Sequence, residues 1–308
     1  MTTFQDLKKD PSSAPTLVRW AASVETRLAA RATALALLAA RVEALESPAT
    51  TWPVAPLGDL APASPMFLHP QQGLTIVERA DVVGGAVPTT GIGVMAWPPR
   101  ADPTLRISDC RVADIPCSPM GSAKAGTDGA GIWAGQGGRV ERCEVHDARW
   151  EGVWIGALAR DLVVTDVLVD NRAVTGTDPG IGIYVEHAAE RVEVTRCVVY
   201  PKKGSAAMNF EWRYADATYA AFDVIGDGRA GTRQVHVHDC LFYGHVVVDA
   251  GSYGHRFERV VFVGGDGVRP AVSLPSNIPA GTVQSTVIAC DFTRWAGPAV
   301  AYHSRPIG

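Results

Sequence analysis

The sequence predicts a mainly β fold, a stack of about eight β coils preceded by an N-terminal helical arm. Three observations predict it. The chain of 308 residues is rich in turn formers, with 31 Gly and 21 Pro, and only 19% of it is charged, against about 25% in average globular chains. One short apolar pattern recurs eight times at a spacing near 30 residues, the mark of a repeat architecture. Ahead of it, residues 16–47 contain no Gly or Pro and carry a 3.5-residue apolar period, which marks a self-associating helix. A hydrophobic content of 47% supplies a sizeable core and excludes global disorder.

Composition also narrows the partners. A net charge of −4 offers no general attraction to nucleic acid or to an anionic membrane. No apolar run approaches the length of about 18 residues needed to span a bilayer. The opening MTTFQDLKKDPSS lacks the apolar centre and cleavage site of a secretory signal. The expectation is a soluble chain that does not leave the cell by the general secretory route.

Residues 1–15 are a short leading segment. Over residues 16–47 the seam reads Leu17, Ala21, Val24, Leu28, Arg31, Leu35, Leu38, Val42 and Leu45, in alternating steps of four and three with Arg31 as the one interruption. A strict repeat of this kind supercoils with a partner helix. A lone amphipathic helix packed on its own domain is the competing reading. It is disfavoured because Pro48, Pro53, Pro56, Pro62, Pro65 and Pro70 follow at once, making residues 48–72 a semi-rigid linker rather than a docking turn. The mixed Leu, Val and Ala seam does not separate a trimer from a dimer.

Residues 73–308 carry the repeat, and the cysteines expose it. The segments Ile107-Ser-Asp-Cys110-Arg-Val112, Val140-Glu-Arg-Cys143-Glu-Val145, Val194-Thr-Arg-Cys197-Val-Val199, Val237-His-Asp-Cys240-Leu-Phe242 and Val287-Ile-Ala-Cys290-Asp-Phe292 share one pattern, with Ala80, Val167 and Val260 replacing cysteine in three more copies. The two polar residues between Val140 and Cys143 break the period-two alternation of a strand, as a corner would. Each copy is followed by a second apolar strand with a glycine-rich approach, such as Gly129-Ala-Gly-Ile-Trp-Ala and Gly180-Ile-Gly-Ile-Tyr-Val. Variable spacing suits a solenoid whose loops grow at its corners.

These coils, with an aligned internal residue ladder, resemble the right-handed parallel β-helix of pectate-lyase-like proteins. Together with the coiled coil and proline linker, the chain resembles bacteriophage tail fibres, tailspikes and β-helical minor tail proteins. The resemblance implies a homotrimer in which residues 1–15 bind other tail or head proteins. It further implies a virion location after assembly in the host cytoplasm, and a shaft that presents itself to host surface polysaccharide. No nucleic acid, membrane insertion, cofactor or metal is expected.

The chemistry is expected on the outer face of the second strands. Aligning them points Ile132, Val153, Ile183 and Met208 inward, so Trp133, Trp154 and Tyr184 stack outward, a platform suited to sugar rings. Glu186, Glu211 and Asp249 stand beside them as candidate catalytic carboxylates, flanked by Trp212, Arg213 and His187. Strands lie about 4.8 Å apart, and glycoside hydrolysis uses carboxylates separated by about 5–9.5 Å. A polysaccharide depolymerase, hydrolase or lyase, is therefore the alternative to a purely structural, receptor-binding role, and an aromatic face buried between subunits is a third reading of the same residues. Cysteines on adjacent coils would permit disulfides such as Cys110–Cys143, but small thiols stacked in a core fit a cytosolic assembly better. His236 and His238 form an isolated H-x-H that reads as ordinary surface.

Overall fold

The computed structural model describes residues 57, 60–63, 76–84, 93–96, 104–116 and 129–303, apart from 136, 157–158, 177, 187, 211–230, 249–251, 277 and 279–280. The predicted helical arm, with Leu17, Val24, Leu28, Leu35, Leu38, Val42 and Leu45, lies outside them, as does the leading segment 1–15. Among the described residues the fold is mainly β, and no helix occurs.

Two parallel sheets, of 15 and 8 strands, make up the structure. The central path of the larger sheet runs Ala61–Ala63, Ala80–Val83, Arg111–Ala113, Arg139–His146, Val163–Asp170, Glu193–Thr195, His236–His238, Arg256–Glu258 and Thr286–Ile288. The smaller stacks Val94–Ala96, Ile132–Ala134, Glu151–Ile155, Ile181–Val185, Ala206–Phe210, His245–Val248, Val272–Pro275 and Val300–His303 in chain order. The chain thus alternates between the sheets, and each circuit lays its strands beside those of the circuit before. A repeat near 30 residues supplies the long connection that parallel neighbours require. One boundary moves: Ala61–Ala63, inside the stretch read as a proline linker, pairs with Ala80–Val82. It ends the sheet path, and an edge strand is where Pro62 is tolerated, since a missing N–H there costs no ladder bond.

The repeat positions form one buried column. Cys110, Cys143, Val167, Cys197, Cys240 and Val260 are each at most 1% exposed, and Cys143 lies directly opposite Val167 in the parallel register. Each valine here gains about 1.5–3 kcal/mol from burial. The five cysteines among the described residues are free thiols. Each directs its S–H to the carbonyl two residues earlier, at 3.2 Å for Cys110 to Ser108 and 3.3 Å for Cys143 to Glu141. Cysteine therefore fills the role of a small apolar residue while adding a weak donor. Burial pushes the Cys143 and Cys240 thiols well above their ordinary range, leaving them protonated and unreactive.

The residue before each column position makes the corner. Arg79, Asp109, Arg142, Asp166, Arg196, Asp239, Arg259 and Ala289 all adopt the left-handed conformation, with φ between 51° and 56°. Outside glycine this conformation costs about 1–2 kcal/mol per residue, and its recurrence in every circuit is what turns the strand. Seven of the eight corners alternate Arg and Asp. Arg142 donates to both carboxylate oxygens of Asp109 at 2.7 and 2.9 Å. Arg196 grips Asp166 at 2.8 and 2.6 Å, and Arg259 grips Asp239 at 2.7 and 2.9 Å. The bidentate geometry is the strong form of this pairing. It holds Asp239 down to about 2, first through the Arg259 hydrogen bond.

The glycine-rich approaches have a steric cause. A Cβ on Gly182 would lie 2.0 Å from Val199 Cγ1 and 2.4 Å from the Ala207 carbonyl oxygen, and one on Gly152 would lie 2.1 Å from Val169 Cγ1. A valine side chain of the larger sheet and the carbonyl of the next strand in the smaller sheet close in on these positions, so only glycine fits.

Candidate functional site

The smaller sheet places the predicted aromatic residues together. Ile132, Val153, Ile183 and Met208 share one register position, and Trp133, Trp154 and Tyr184 share the next. The first set is fully buried in the main core. On the opposite side of the strands Trp133 stacks on Trp154 with ring centres 4.6 Å apart, and Trp154 meets Tyr184 edge-on at 6.1 Å.

This face is not the open platform expected from the sequence. Trp133, Trp154 and Tyr184 are only 6%, 6% and 8% exposed, and with Ala130 they form a second apolar cluster, against which Ile181 packs. Alternation along a strand fixes the side on which a residue stands, not whether that side is covered. Glu186 follows the strand and is 7% exposed. Its carboxylate accepts the Trp154 Nε1–H at 2.9 Å, which makes it the polar partner that a buried indole requires. Glu211, Asp249, Trp212, Arg213 and His187 lie outside the described residues, so the three-carboxylate stack is represented by Glu186 alone.

The outer face of the larger sheet carries a polar network that centres on the H-x-H. The His236 and His238 rings lie 4.4 Å apart. His238 Nε2 pairs with Glu193 Oε1 at 2.9 Å, and its Nδ1 pairs with Asp239 Oδ2 at 2.7 Å. Burial, followed by the charge of His238, pushes His236 down. Among the described residues no cluster of three or more His, Cys, Asp or Glu is placed to hold a metal ion.

A cavity of about 310 Å³, which the sequence reading missed, opens at the turns joining the two sheets. Lys202, Lys203, Tyr243, His245, Asp266 and Arg269 line it. Tyr243 stacks on Tyr200 at 4.2 Å between ring centres, and the Arg172 guanidinium sits 4.2 Å from the Tyr200 ring centre. The sequence signal is weak, because these residues are scattered over turns and strand ends of different circuits and no local pattern joins them. Comparison with family models, curated proteins and solved structures finds no match to the chain.

Proposed function

We propose that the chain is a structural, receptor-binding component of a bacteriophage virion, a short tail fibre, tailspike or minor tail protein that presents itself to host surface glycans. In this reading residues 73–308 are a right-handed parallel β-helix of about eight rungs. Residues 16–47 trimerise it as a coiled coil, and residues 1–15 attach it to another virion protein. The observation that supports it most is the unbroken parallel stacking of circuits, with corners tied to their neighbours by bidentate ion pairs. Repetition of this kind yields a stiff shaft from near-neighbour contacts alone.

In this reading Glu186 has a structural role, its carboxylate accepting the Trp154 indole N–H at 2.9 Å. Replacement with Gln keeps an acceptor for the indole N–H. Replacement with Ala strands it, at a cost of about 1–3 kcal/mol. The expected result is that Glu186→Gln melts near the wild type and Glu186→Ala melts lower, with no glycan cleavage by either or by the wild type. Release of oligosaccharide by the wild type and its loss in Glu186→Gln would instead establish a depolymerase. Light scattering tests the assembly: a mass about three times 32.6 kDa for the full chain, and monomers once residues 1–50 are removed, are expected. A full-length monomer would overturn the trimeric reading.

A further inference from the structure

The cavity at the sheet-joining turns has a cause in loop length. Turns of three consecutive circuits meet there, with Trp295 of the next circuit beside them. The lowest joins its strands through residues 201–205 and the highest through residues 265–271, whereas the middle one uses only Tyr243 and Gly244. A short turn between two long ones leaves a recess. The short turn is also pressed down: a Cβ on Gly244 would lie 2.6 Å from Pro201 Cγ and 3.0 Å from the Ala207 amide nitrogen. Arg269 spans the recess, its Nη1 donating to the Gly204 carbonyl at 2.5 Å. The upper and lower turns are therefore tied together across the middle one.

The lining is cationic on a chain whose net charge is −4. Lys202, Lys203 and Arg269 face one carboxylate, Asp266. Lys202 Nζ donates to the Gly176 and Asp178 carbonyls at 2.6 and 2.7 Å, so its charge is fixed in place and one of its three donors is left over. Lys203 is exposed. Burial, and then the Arg269 charge, pushes His245 down, so at neutral pH its imidazole is an uncharged hydrogen-bonding group. Tyr243 adds an aromatic wall held rigid by Tyr200. The volume is at the small end of the range for ligand pockets, about 300–1,000 Å³, which suits one sugar unit rather than a long stretch of chain.

We propose that this cavity binds an acidic sugar residue of a surface glycan, with Lys203 and Arg269 meeting its anionic group and Tyr243 its ring. The inference rests on the glycan-binding reading above and moves the contact from the buried Trp133, Trp154 and Tyr184 face to the turns. The test uses the full chain in calorimetric titrations with trigalacturonate as the carboxylated probe, a sulfated trisaccharide and neutral maltotriose, followed by a glycan array. The expected result is saturable binding of an acidic probe, weakened at least tenfold by Lys203→Glu, whose exposed side chain leaves folding intact. If trigalacturonate binds, the anionic group is a carboxylate; if only the sulfated sugar binds, it is a sulfate. Acidic binding unchanged in Lys203→Glu overturns the site. Binding confined to neutral glycans overturns the inference and leaves the glycan-binding reading standing, and binding to no glycan on the array overturns both.

Discussion

Two columns run side by side through the larger sheet, one residue apart in every circuit, and they obey opposite rules. The inner column of Ala80, Cys110, Cys143, Val167, Cys197, Cys240 and Val260 is buried and varies among small apolar residues. The corner column of Arg79, Asp109, Arg142, Asp166, Arg196, Asp239 and Arg259 is fixed in backbone conformation and alternates strictly in charge. Inside, volume and apolarity decide, because close packing punishes a change of size or polarity. At the corner, where side chains reach water, volume is irrelevant, and the sign of the neighbour decides. A single step along the chain thus crosses from packing control to electrostatic control.

The comparison breaks most violently by importing corner chemistry into the core. Cys197→Asp would bury a carboxylate at a position 1% exposed, and uncompensated buried charge costs several kcal/mol or more. The expected outcome is loss of the cooperative melting transition, measured by circular dichroism, whereas Arg196→Asp, one residue earlier, is expected to leave a folded chain.

Exchanging one corner pair gives the next largest effect. If Arg196 and Asp166 were an isolated pair, the double variant Asp166→Arg/Arg196→Asp would restore most of the stability lost by either single change. In an alternating column the exchange sets a second positive charge beside Arg142 and a second negative charge beside Asp239. The Asp239 charge is already felt at Arg196, which sits above its ordinary range, chiefly through its hydrogen bond to Asp166. The expected result is a double variant that stays about 1–2 kcal/mol below the wild type in urea titrations. Full rescue would reduce the column to separate pairs.

Acid separates interior from corner by the pH at which each yields. His255 is 1% exposed and pushed down to about 3 by burial, with Nδ1 accepting the Val235 N–H at 3.2 Å. Its folded value lies below the ordinary value of about 6.5, so its contribution is complete above that and declines as pH falls from about 6.5 toward 3. Asp239, held at about 2, contributes above its unfolded value of about 4, and that contribution is lost as pH falls through about 2. Unfolding free energies measured from pH 7 to 2 are expected to fall in two stages. His255→Gln should flatten the upper stage and Asp239→Asn the lower.

The smallest effect is expected within the inner column's own rule. Cys197→Val keeps size and apolarity, as Val167 does naturally, and should cost under about 1.5 kcal/mol. A larger loss would mean that the S–H bond to the Thr195 carbonyl, at 3.3 Å, contributes more than a weak donor normally does.

The repeat was legible in the sequence because the inner column is periodic: Cys110, Cys143, Cys197 and Cys240 mark its register and Val140-Glu-Arg-Cys143 shows a break in alternation. The same segments displayed the alternating corner charges, Ser-Asp-Cys110 against Glu-Arg-Cys143. The alternation is hard to see in the sequence alone, because polar residues at a corner read as ordinary turn formers. The outward side of Trp133, Trp154 and Tyr184 was legible for the same periodic reason. Their burial was not, because cover is a property of what lies opposite, not of the strand itself. The cavity beside Tyr243 depends on the difference in length between three turns, and no single repeat contains that difference.

Strict alternation at the corners also sets a parity on insertions into the column. Inserting one circuit within the column, by duplication or by design, would seat Arg on Arg or Asp on Asp at a join, but inserting an adjacent Arg–Asp pair of circuits can leave every neighbour opposite in sign. Misfolding by a slip of one circuit meets the same obstacle, and a slip of two does not. The column therefore acts as a two-letter ruler. It admits insertions in even steps as far as Ala289, where the alternation of charge is interrupted.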